Sequence, residues 1–375
     1  MGIYDTVMQE KPPVVLDIGT AYTKIGFAGE AHPRFIIPSE SYLSSTGDIE
    51  KLFNYSSKTE LYDHMVDFLQ TIFFKHVLVS PKDRKVVMVE NIFGETIIRE
   101  TIAEVLFKHF EVSSILFVPT HLIALSTLAV PSGVVVDMGY NEATVVPIFS
   151  SVQILKAFQD QAFGAKSIHD EIKRQLVEAG INASHLTESI LEDIKVRTCF
   201  VTTAERAKQY RENQPITPPP DLEYSIKEKE IITIPGSVRE TAYEIMFSED
   251  NEQSSLPYLI LDAILKCPVD ARTVLGENIF LIGGTSIIMG LLSRLKTELN
   301  TLLSNNNRYK DKLFFKSVKF HTAIGRANFA AWLGASICGA TEIVGTKSLT
   351  KETYAKCGHV PDWVNLDDNR LQESV

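Results

Sequence analysis

The residues best suited to chemistry lie near the start of the chain, where a short apolar run meets an Asp-x-Gly turn. Residues 14–16 predict a buried strand, residues 17–20 a tight turn and residues 21–27 the returning strand. A turn of this kind points several backbone N–H groups into one small space, and such a nest binds phosphate oxygens. The first candidate site is therefore a phosphate-binding turn, in which Gly19 supplies the backbone freedom.

Two charged side chains belong to the same hairpin. Asp17 stands where it can orient the waters around Mg²⁺, a cation that keeps most of its own waters when a protein binds it. Lys24 can reach back to a phosphate as a point charge. The hairpin thus predicts a site for a phosphate group together with its metal ion.

The pattern returns in residues 134–149, where Asp137 and Gly139 take the places of Asp17 and Gly19. The separation of roughly 120 residues is a domain-scale repeat rather than the short period of a solenoid. Two like hairpins indicate two like domains, each offering a turn to one ligand between them. The alternative is two ordinary hairpins, because Asp-Gly-type turns are common.

A third glycine turn follows a buried strand predicted over residues 278–282. It consists of Gly283, Gly284, Thr285 and Ser286, and a helix begins near Ile288. A glycine-rich turn between a strand and a helix lets a ligand approach the backbone closely, although the motif is weak by itself.

Composition bounds the class of protein. The chain has 375 residues, 45% of them hydrophobic, which is enough for about two domains with large cores. A net charge of -10 argues against nonspecific nucleic-acid binding, which requires a basic face. Four scattered cysteines and dispersed histidines form neither a CxxC nor an HExxH motif, which argues for reduced thiols of a cytosolic protein and against a zinc hydrolase.

The N-terminal residues and the most apolar stretch predict neither a secretory leader nor a membrane span. Residues 1–12 are polar, unlike a secretory leader. Residues 1–6 fit the formal myristoylation pattern at Gly2, but no polybasic patch follows to supply a second membrane signal. The most apolar stretch, residues 115–136, is interrupted by Pro119, Pro131 and Gly133. It predicts a strand, a buried helix and a second strand rather than a membrane span.

Alternating strands and helices position these turns and predict an α/β fold. Helical spacing occurs in residues 60–74, 98–110, 167–178, 187–197, 237–247, 256–266 and 327–340. Further strands are expected at residues 85–90, 114–118 and 231–234, and the proline-rich residues 214–221 predict an exposed loop.

In its motifs and their order, the chain resembles actin and the actin-related proteins over nearly its whole length. Residues 17–34 resemble the first phosphate loop of that family, and residues 137–148 are similar to its second. Residues 191–201 resemble the segment that contacts the adenosine, residues 270–286 the adenosine loop, and residues 331–354 the C-terminal region. Five motifs in order and at family-like spacing are a specific signal.

The resemblance implies an actin-like ATPase fold, with two duplicated α/β domains around a nucleotide cleft. The first lobe would span residues 1–130, with a shortened subdomain at about 38–62. The second would span residues 131–320, and residues 321–375 would return to the first.

ATP or ADP with Mg²⁺ is the implied cofactor. Phosphate would be held by Thr20, Ala21 and Lys24, the waters of Mg²⁺ by Asp17 and Asp137, and the adenosine would lie beside Lys195 and Gly284. The full set of implied ligand-binding residues is Asp17, Gly19, Thr20, Ala21, Lys24, Asp137, Gly139, Lys195, Gly283, Gly284 and Thr285.

Several positions depart from the family pattern. Tyr140 stands where a second acidic member of the metal shell is usual, Val196 where a Glu takes the ribose hydroxyls, and Asn328 where a Lys lies by the adenine. Thr120 or His121 stands where the family has the Gln that positions the attacking water. His121 could act as a base, but the interpretation as a core histidine is favoured. Because phosphoryl transfer depends on positioning, we expect a bound nucleotide to be hydrolysed slowly or not at all, and no catalytic residue is assigned.

Two elements that build filaments in the family are altered. Residues 39–60 form a segment roughly twenty residues shorter than in actin, a change that surface loops tolerate. The apolar plug of actin corresponds to residues 248–255, an acidic and polar run that would not enter an apolar interface. Neutral loop drift is the alternative to a subunit that ends a filament.

The branch most resembled is that of the actin-related proteins at the pointed end of dynactin. Residues 75–84, 106–112, 192–201, 282–286 and 361–363 carry this resemblance. It implies a cytoplasmic, cytoskeletal subunit that contacts the actin-related filament subunits and the pointed-end accessory subunits, and through them dynein. The alternatives are a self-polymerising actin-like ATPase, a nuclear chromatin-remodelling relative, and a phosphotransferase such as a sugar kinase, for which no catalytic acid or substrate pocket is found.

Overall fold

The computed structural model describes residues 11–42, 47, 49–227, 230–248 and 255–361. Most of the acidic run 248–255, the Gly2 motif and residues 362–363 of the last dynactin-like motif lie outside the described residues. The strands are, in chain order, β1 (Val14–Ile18), β2 (Tyr22–Phe27), β3 (Phe35–Pro38), β4 (Glu40–Tyr42), β5 (Ile49–Lys51), β6 (Lys85–Glu90), β7 (Ser114–Pro119), β8 (Gly133–Met138), β9 (Ala143–Phe149), β10 (Val152–Gln153), β11 (Gln159–Gln161), β12 (Leu222–Lys227), β13 (Glu230–Ile234), β14 (Ile279–Ile282), β15 (Phe320–His321) and β16 (Leu349–Thr350).

Helices alternate with these strands, as the sequence predicts. They are α1 (Lys58–Thr71), α2 (Thr96–Glu104), α3 (Thr120–Ser126), α4 (Ala165–Glu178), α5 (Glu188–Thr198), α6 (Ala204–Arg211), α7 (Gly236–Thr241), α8 (Leu256–Lys266), α9 (Val269–Gly276), α10 (Leu291–Asn305), α11 (Asn307–Lys310), α12 (Ala330–Gly339), α13 (Ile343–Lys347) and α14 (Lys351–Cys357). Among the residues that the structure describes, no helix has the length and apolar character needed to cross a bilayer.

The chain divides into two compact units. The first contains the described residues up to Thr127 and those from Phe329 onwards, and the second runs from Leu128 to Asn328. Each unit has its own hydrophobic core.

The sheet of the first unit has the strand order β16-β7-β6-β1-β2-β3. β1 pairs antiparallel with β2 and parallel with β6, so the turn after β1 lies at the edge where β6 and β7 also end. Behind β1 lies α12, whose fully buried Trp332 donates its indole N–H to the Val15 carbonyl at 3.1 Å. This anchor fixes the strand that carries the first turn.

The sheet of the second unit repeats that arrangement. Its strand order is β10-β9-β8-β14-β15, with β11 also pairing with β9. β8 pairs antiparallel with β9 and parallel with β14, as β1 does with β2 and β6. The repeated Asp-x-Gly motif therefore marks a repeated supersecondary unit, which confirms the interpretation of two like domains.

Most predicted elements occur within a few residues of their expected bounds, with three informative exceptions. The helices expected at residues 60–74 and 98–110 finish in wider π-turns, Ile72–His76 and Val105–His109. The prediction of a single helix over residues 237–247 was wrong, because α7 ends at Thr241 and a separate 3-10 turn covers Glu244–Met246. The helix expected near Ile288 begins only at Leu291.

Candidate functional site

The turn of the first unit places Asp17 beside Lys24. The two residues are partners in the register of β1 and β2, and Lys24 Nζ lies 3.1 Å from Asp17 Oδ2. Both side chains are mostly enclosed, at 17% and 16% exposure. The structure therefore brings together the two charged groups predicted for this site, and holds the lysine over the turn.

Hydrogen bonds fix the backbone of this turn from the outside. The Gly19 N–H donates to the Tyr22 carbonyl at 3.2 Å, and the Gly19 carbonyl accepts from Ser39 Oγ at 2.6 Å. The Ser39 N–H donates to the Ala21 carbonyl at 2.9 Å, and Ser39 Oγ also contacts Thr23 Oγ1 at 2.8 Å. Sequence reasoning missed Ser39, since no local motif links it to a turn twenty residues earlier.

The remaining N–H groups of the turn are available to a ligand. Within the described part of the chain, the N–H groups of Thr20 and Ala21 donate to no protein acceptor. Two such donors beside the ammonium of Lys24 suit the oxygens of a phosphate. The residues of the first turn therefore fit the phosphate group that the sequence predicts.

In the second unit, two of the predicted turns meet. Asp137 and Ile282 are partners in the parallel register of β8 and β14, so the turns that follow these strands are neighbours. Thr285 Oγ1 donates to the Gly139 carbonyl at 3.0 Å, and the Gly139 N–H donates to the Glu142 carbonyl at 3.0 Å. One cluster thus contains Asp137, Gly139 and the turn at residues 283–286.

Gly283 is required at this meeting point. Its φ of +90° lies in the region that favours glycine, and a Cβ at this position would come within 2.4 Å of the Met138 carbonyl oxygen and 2.5 Å of Asp137 Oδ1. The next residue, Gly284, opens a 3-10 turn, and a Cβ there would meet nothing within 4 Å. Within the described residues, the N–H groups of Gly284 and Thr285 donate to no protein acceptor.

The second cluster also fits a hydrated cation and a polar ligand. Asp137 supplies a carboxylate beside a backbone with free donors, which matches the oxygen ligands and retained waters of Mg²⁺. Asn328 Oδ1 is buried without a hydrogen-bond partner among the described residues. An enclosed acceptor of this kind calls for a donor from a ligand or water.

Lys195 lies on α5 and is held by side chains that sequence reasoning did not connect with it. Its ammonium lies 2.6 Å from Glu192 Oε2 and 3.1 Å from His169 Nε2, and His169 Nε2 lies 2.9 Å from the same carboxylate oxygen. The Lys195 side chain is only 6% exposed. The lysine predicted to flank adenosine is thus already part of a buried ionic cluster.

Burial opposes the charges of both Glu192 and Lys195, and only for Glu192 do the neighbouring groups outweigh it. Burial works against ionisation of Glu192, but the hydrogen bond from His169 and the charge of Lys195 outweigh it and lower the pKa of Glu192 to about 2. Burial also lowers the pKa of Lys195, and the Glu192 charge offsets only part of that effect. The short Lys195–Glu192 contact favours the ionised carboxylate at neutral pH. The burial of the lysine is a free-energy cost that accompanies formation of this pair.

Tyr140 fills the place of an acidic residue with a different set of contacts. Its hydroxyl donates to Glu188, and its ring packs edge-on to His169 with centroids 6.2 Å apart. Burial and the Glu188 carboxylate raise the pKa of Tyr140, so it is neutral at pH 7. This side chain links the second turn to the Lys195 cluster and supplies no negative charge for a metal ion.

Thr120 and His121, the two candidates for the position of the water-positioning Gln, both lie in the first unit. Thr120 Oγ1 donates to the Glu90 carbonyl at 2.8 Å, and His121 is 1% exposed. Burial lowers the pKa of His121 to about 4, so the imidazole is neutral at pH 7. This burial is that of a core histidine, in line with the interpretation favoured from the sequence.

Comparison with known proteins decides the family. The sequence model described as Actin matches residues 8–366. The chain belongs to the actin family. Its two sheet-containing α/β units are consistent with the actin-like fold expected from the sequence, and proteins of this family generally bind a nucleotide with a divalent cation.

Within the actin family, one similarity covers almost the whole chain. The chain is 28% identical over 437 aligned positions to Actin-related protein 10 of Dictyostelium discoideum. The alignment covers 96% of this chain and 90% of that protein. This similarity supports placement in the actin-related protein 10 branch.

Proposed function

We propose that this actin-family chain is a structural subunit of dynactin. In this role the chain caps the pointed end of the actin-related mini-filament and supports dynein-driven transport along microtubules. The observation that carries the proposal is the similarity to Actin-related protein 10 over 96% of the chain. The proposed partners are the actin-related filament subunits and the pointed-end accessory subunits, and the proposed location is the cytoplasmic cytoskeleton.

The short segment between β3 and α1 supports a role at a filament end. Here β4 and β5 have 3 residues each, and the whole segment is roughly twenty residues shorter than in actin, a change that loop closure tolerates. A segment of this length has little reach toward a further subunit. Capping would then follow from the loss of the contact that another subunit needs.

The second unit also carries apolar side chains suited to contact with a partner. Ile287 is 59% exposed and Met289 is 78% exposed, on either side of the more enclosed Ile288. Large apolar side chains that remain in water near one another are typical of interaction surfaces. This segment is the proposed contact with a neighbouring subunit.

Bound nucleotide is proposed to have a structural role. Lys24 and the N–H groups of Thr20 and Ala21 would hold phosphate, while Asp17 and Asp137 would order the waters of Mg²⁺. The neutral Tyr140 supplies no carboxylate, and the pKa of His121, lowered to about 4 by burial, makes that imidazole a weak base. We therefore propose that ATP or ADP is retained and that hydrolysis is slow or absent.

Affinity purification of the tagged full-length chain from cytosol, followed by identification of the co-purifying proteins, tests the proposal. Dynactin subunits in stoichiometric amounts are expected. Recovery of chromatin-remodelling subunits would overturn the proposal. In a second assay, the purified chain with ATP and Mg²⁺ should stay in the supernatant on sedimentation, whereas pelleting as a polymer would favour a self-assembling ATPase.

A further inference from the structure

Three potential metal ligands converge in the small β4–β5 region of the first unit. They are Glu50 on β5, and Glu60 and His64 on α1. One carboxylate oxygen from each glutamate and one ring nitrogen of His64 all lie within 4.8 Å of one another. This cluster is separate from the turn that carries Asp17 and Lys24.

Local structure places each of these side chains on a common side. Glu60 and His64 are four residues apart in α1 and therefore occupy the same helix face. Glu50 pairs with Ser41 in the register of β4 and β5, and these two residues are the enclosed ones between exposed neighbours. Because β4 packs against α1, Ser41 and Glu50 share the hairpin face toward the helix.

Among the described residues, two enclosed polar atoms in this region lack a hydrogen-bond partner. His64 is 2% exposed and Ser41 is fully buried. Within the part of the chain that the structure describes, neither His64 Nδ1 nor Ser41 Oγ has a hydrogen-bond partner. Native proteins rarely leave such atoms unsatisfied, and a bound ion is one of the recognised explanations.

The Glu60 carboxylate is already oriented by its neighbours. Its Oε2 accepts from the Ser56 N–H at 2.7 Å and from Ser56 Oγ at 2.6 Å, while Ser57 caps α1 through the Glu60 N–H. Within the described residues, these bonds leave Oε1 for another partner. Hydrogen bonds of this kind orient metal-binding carboxylates in proteins.

We propose that Glu50, Glu60 and His64 bind a Zn²⁺ ion that fastens the β4–β5 hairpin to α1. An imidazole with two carboxylates suits zinc, whereas Mg²⁺ and Ca²⁺ favour oxygen ligands alone. Tetrahedral zinc requires ligand atoms roughly 3.3 Å apart, so small side-chain rotations close the cluster around the ion. Ser41 Oγ or a water takes the fourth position.

The site is tested by titrating Zn²⁺ into the chelator-treated full-length chain in the presence of a chromophoric indicator that competes for the ion. One Zn²⁺ per chain is expected, with a rise in melting temperature. The half-enclosed Glu50→Gln variant should bind at least tenfold more weakly, as should His64→Gln. Asp63→Asn is the matched control on the exposed face of α1 and should bind as the wild type does.

Cobalt substitution distinguishes this site from adventitious binding to the four cysteines. Co²⁺ at Glu50, Glu60 and His64 gives visible d–d bands without the near-ultraviolet thiolate charge-transfer band. The proposal is overturned by the thiolate band, by unsaturable zinc binding, or by equal affinities of the wild type and Glu50→Gln. Glu50 is the deciding position because it lies on a short surface hairpin, where the substitution preserves size and removes the charge.

Discussion

Gly283 lies against Asp137 across the parallel pairing of β8 and β14, so that a Cβ at position 283 would come within 2.5 Å of the aspartate Oδ1. This contact joins the second Asp-x-Gly turn to the glycine turn that follows β14. Two motifs that are almost 150 residues apart in the sequence (positions 137 and 283) thus become one cluster of carboxylate and free backbone donors.

Replacing Gly283 by Ala should destabilise the protein by at least about 1–3 kcal/mol, because the φ of +90° and the Met138 carbonyl both oppose a side chain. Gly284→Ala is the matched control, since its Cβ enters open space; it should change the free energy of unfolding by less than about 0.5 kcal/mol. Urea unfolding of both variants checks this. Equal stability of the two would show that the turns do not meet as described.

Lys24→Met should weaken the binding of Mg²⁺-ATP by about 10- to 100-fold, since a charge-assisted bond to phosphate contributes about 1.5–3 kcal/mol. Lys82→Met removes a surface lysine paired with Glu111 and should leave nucleotide affinity unchanged. Isothermal titration calorimetry measures both. If Lys24→Met bound nucleotide like the wild type, the first turn would not be the phosphate site.

Glu192 should make the stability of the second unit depend on pH. Its pKa is lowered from 4.5 to about 2 in the folded protein, so its contribution is complete above pH 4.5 and is lost as the pH falls toward 2. With the side chain 30% exposed, solvent screening reduces this contribution to about 2 kcal/mol. Urea unfolding at about pH 5.5 and about pH 3.5 should show a smaller pH effect in Glu192→Gln than in the wild type. The same loss in both proteins would argue against the ionic cluster.

Met289→Glu should reduce incorporation of the chain into dynactin by at least about tenfold, because a charge would be buried at the proposed contact with a neighbouring subunit. Val177→Glu is the control, an exposed apolar residue on α4 of the same unit. Quantitative mass spectrometry of the purified complexes compares the two. Normal incorporation of Met289→Glu would remove this segment from the proposed interface.

Local sequence pattern was sufficient to predict much of the fold. The apolar run of β6 was expected at residues 85–90 and occurs as Lys85–Glu90. Thr187 caps α5 through the Ile190 N–H at 3.4 Å, at the start of the helix expected over residues 187–197. The break after α7 was not foreseeable, because Ala242 and Tyr243 continue the helical spacing and are buried by tertiary packing.

The candidate site shows the same division between local and long-range information. The Asp17–Lys24 pair follows from hairpin register, and the pairing of Asp137 with the third turn follows from strand order. The contacts of Lys195 could not be predicted, because His169 comes from a different helix, 26 residues earlier. Spacing within one helix, which pairs Glu192 with Lys195, was the only available signal.

The position and copy number of this chain in isolated dynactin test the central claim most directly. A cryo-electron microscopy map of the complex carrying a tag on this chain should show one copy, at the pointed end of the mini-filament, with no further actin-like subunit beyond it. Several tagged copies along the filament, or another subunit stacked on the tagged one, would contradict the account.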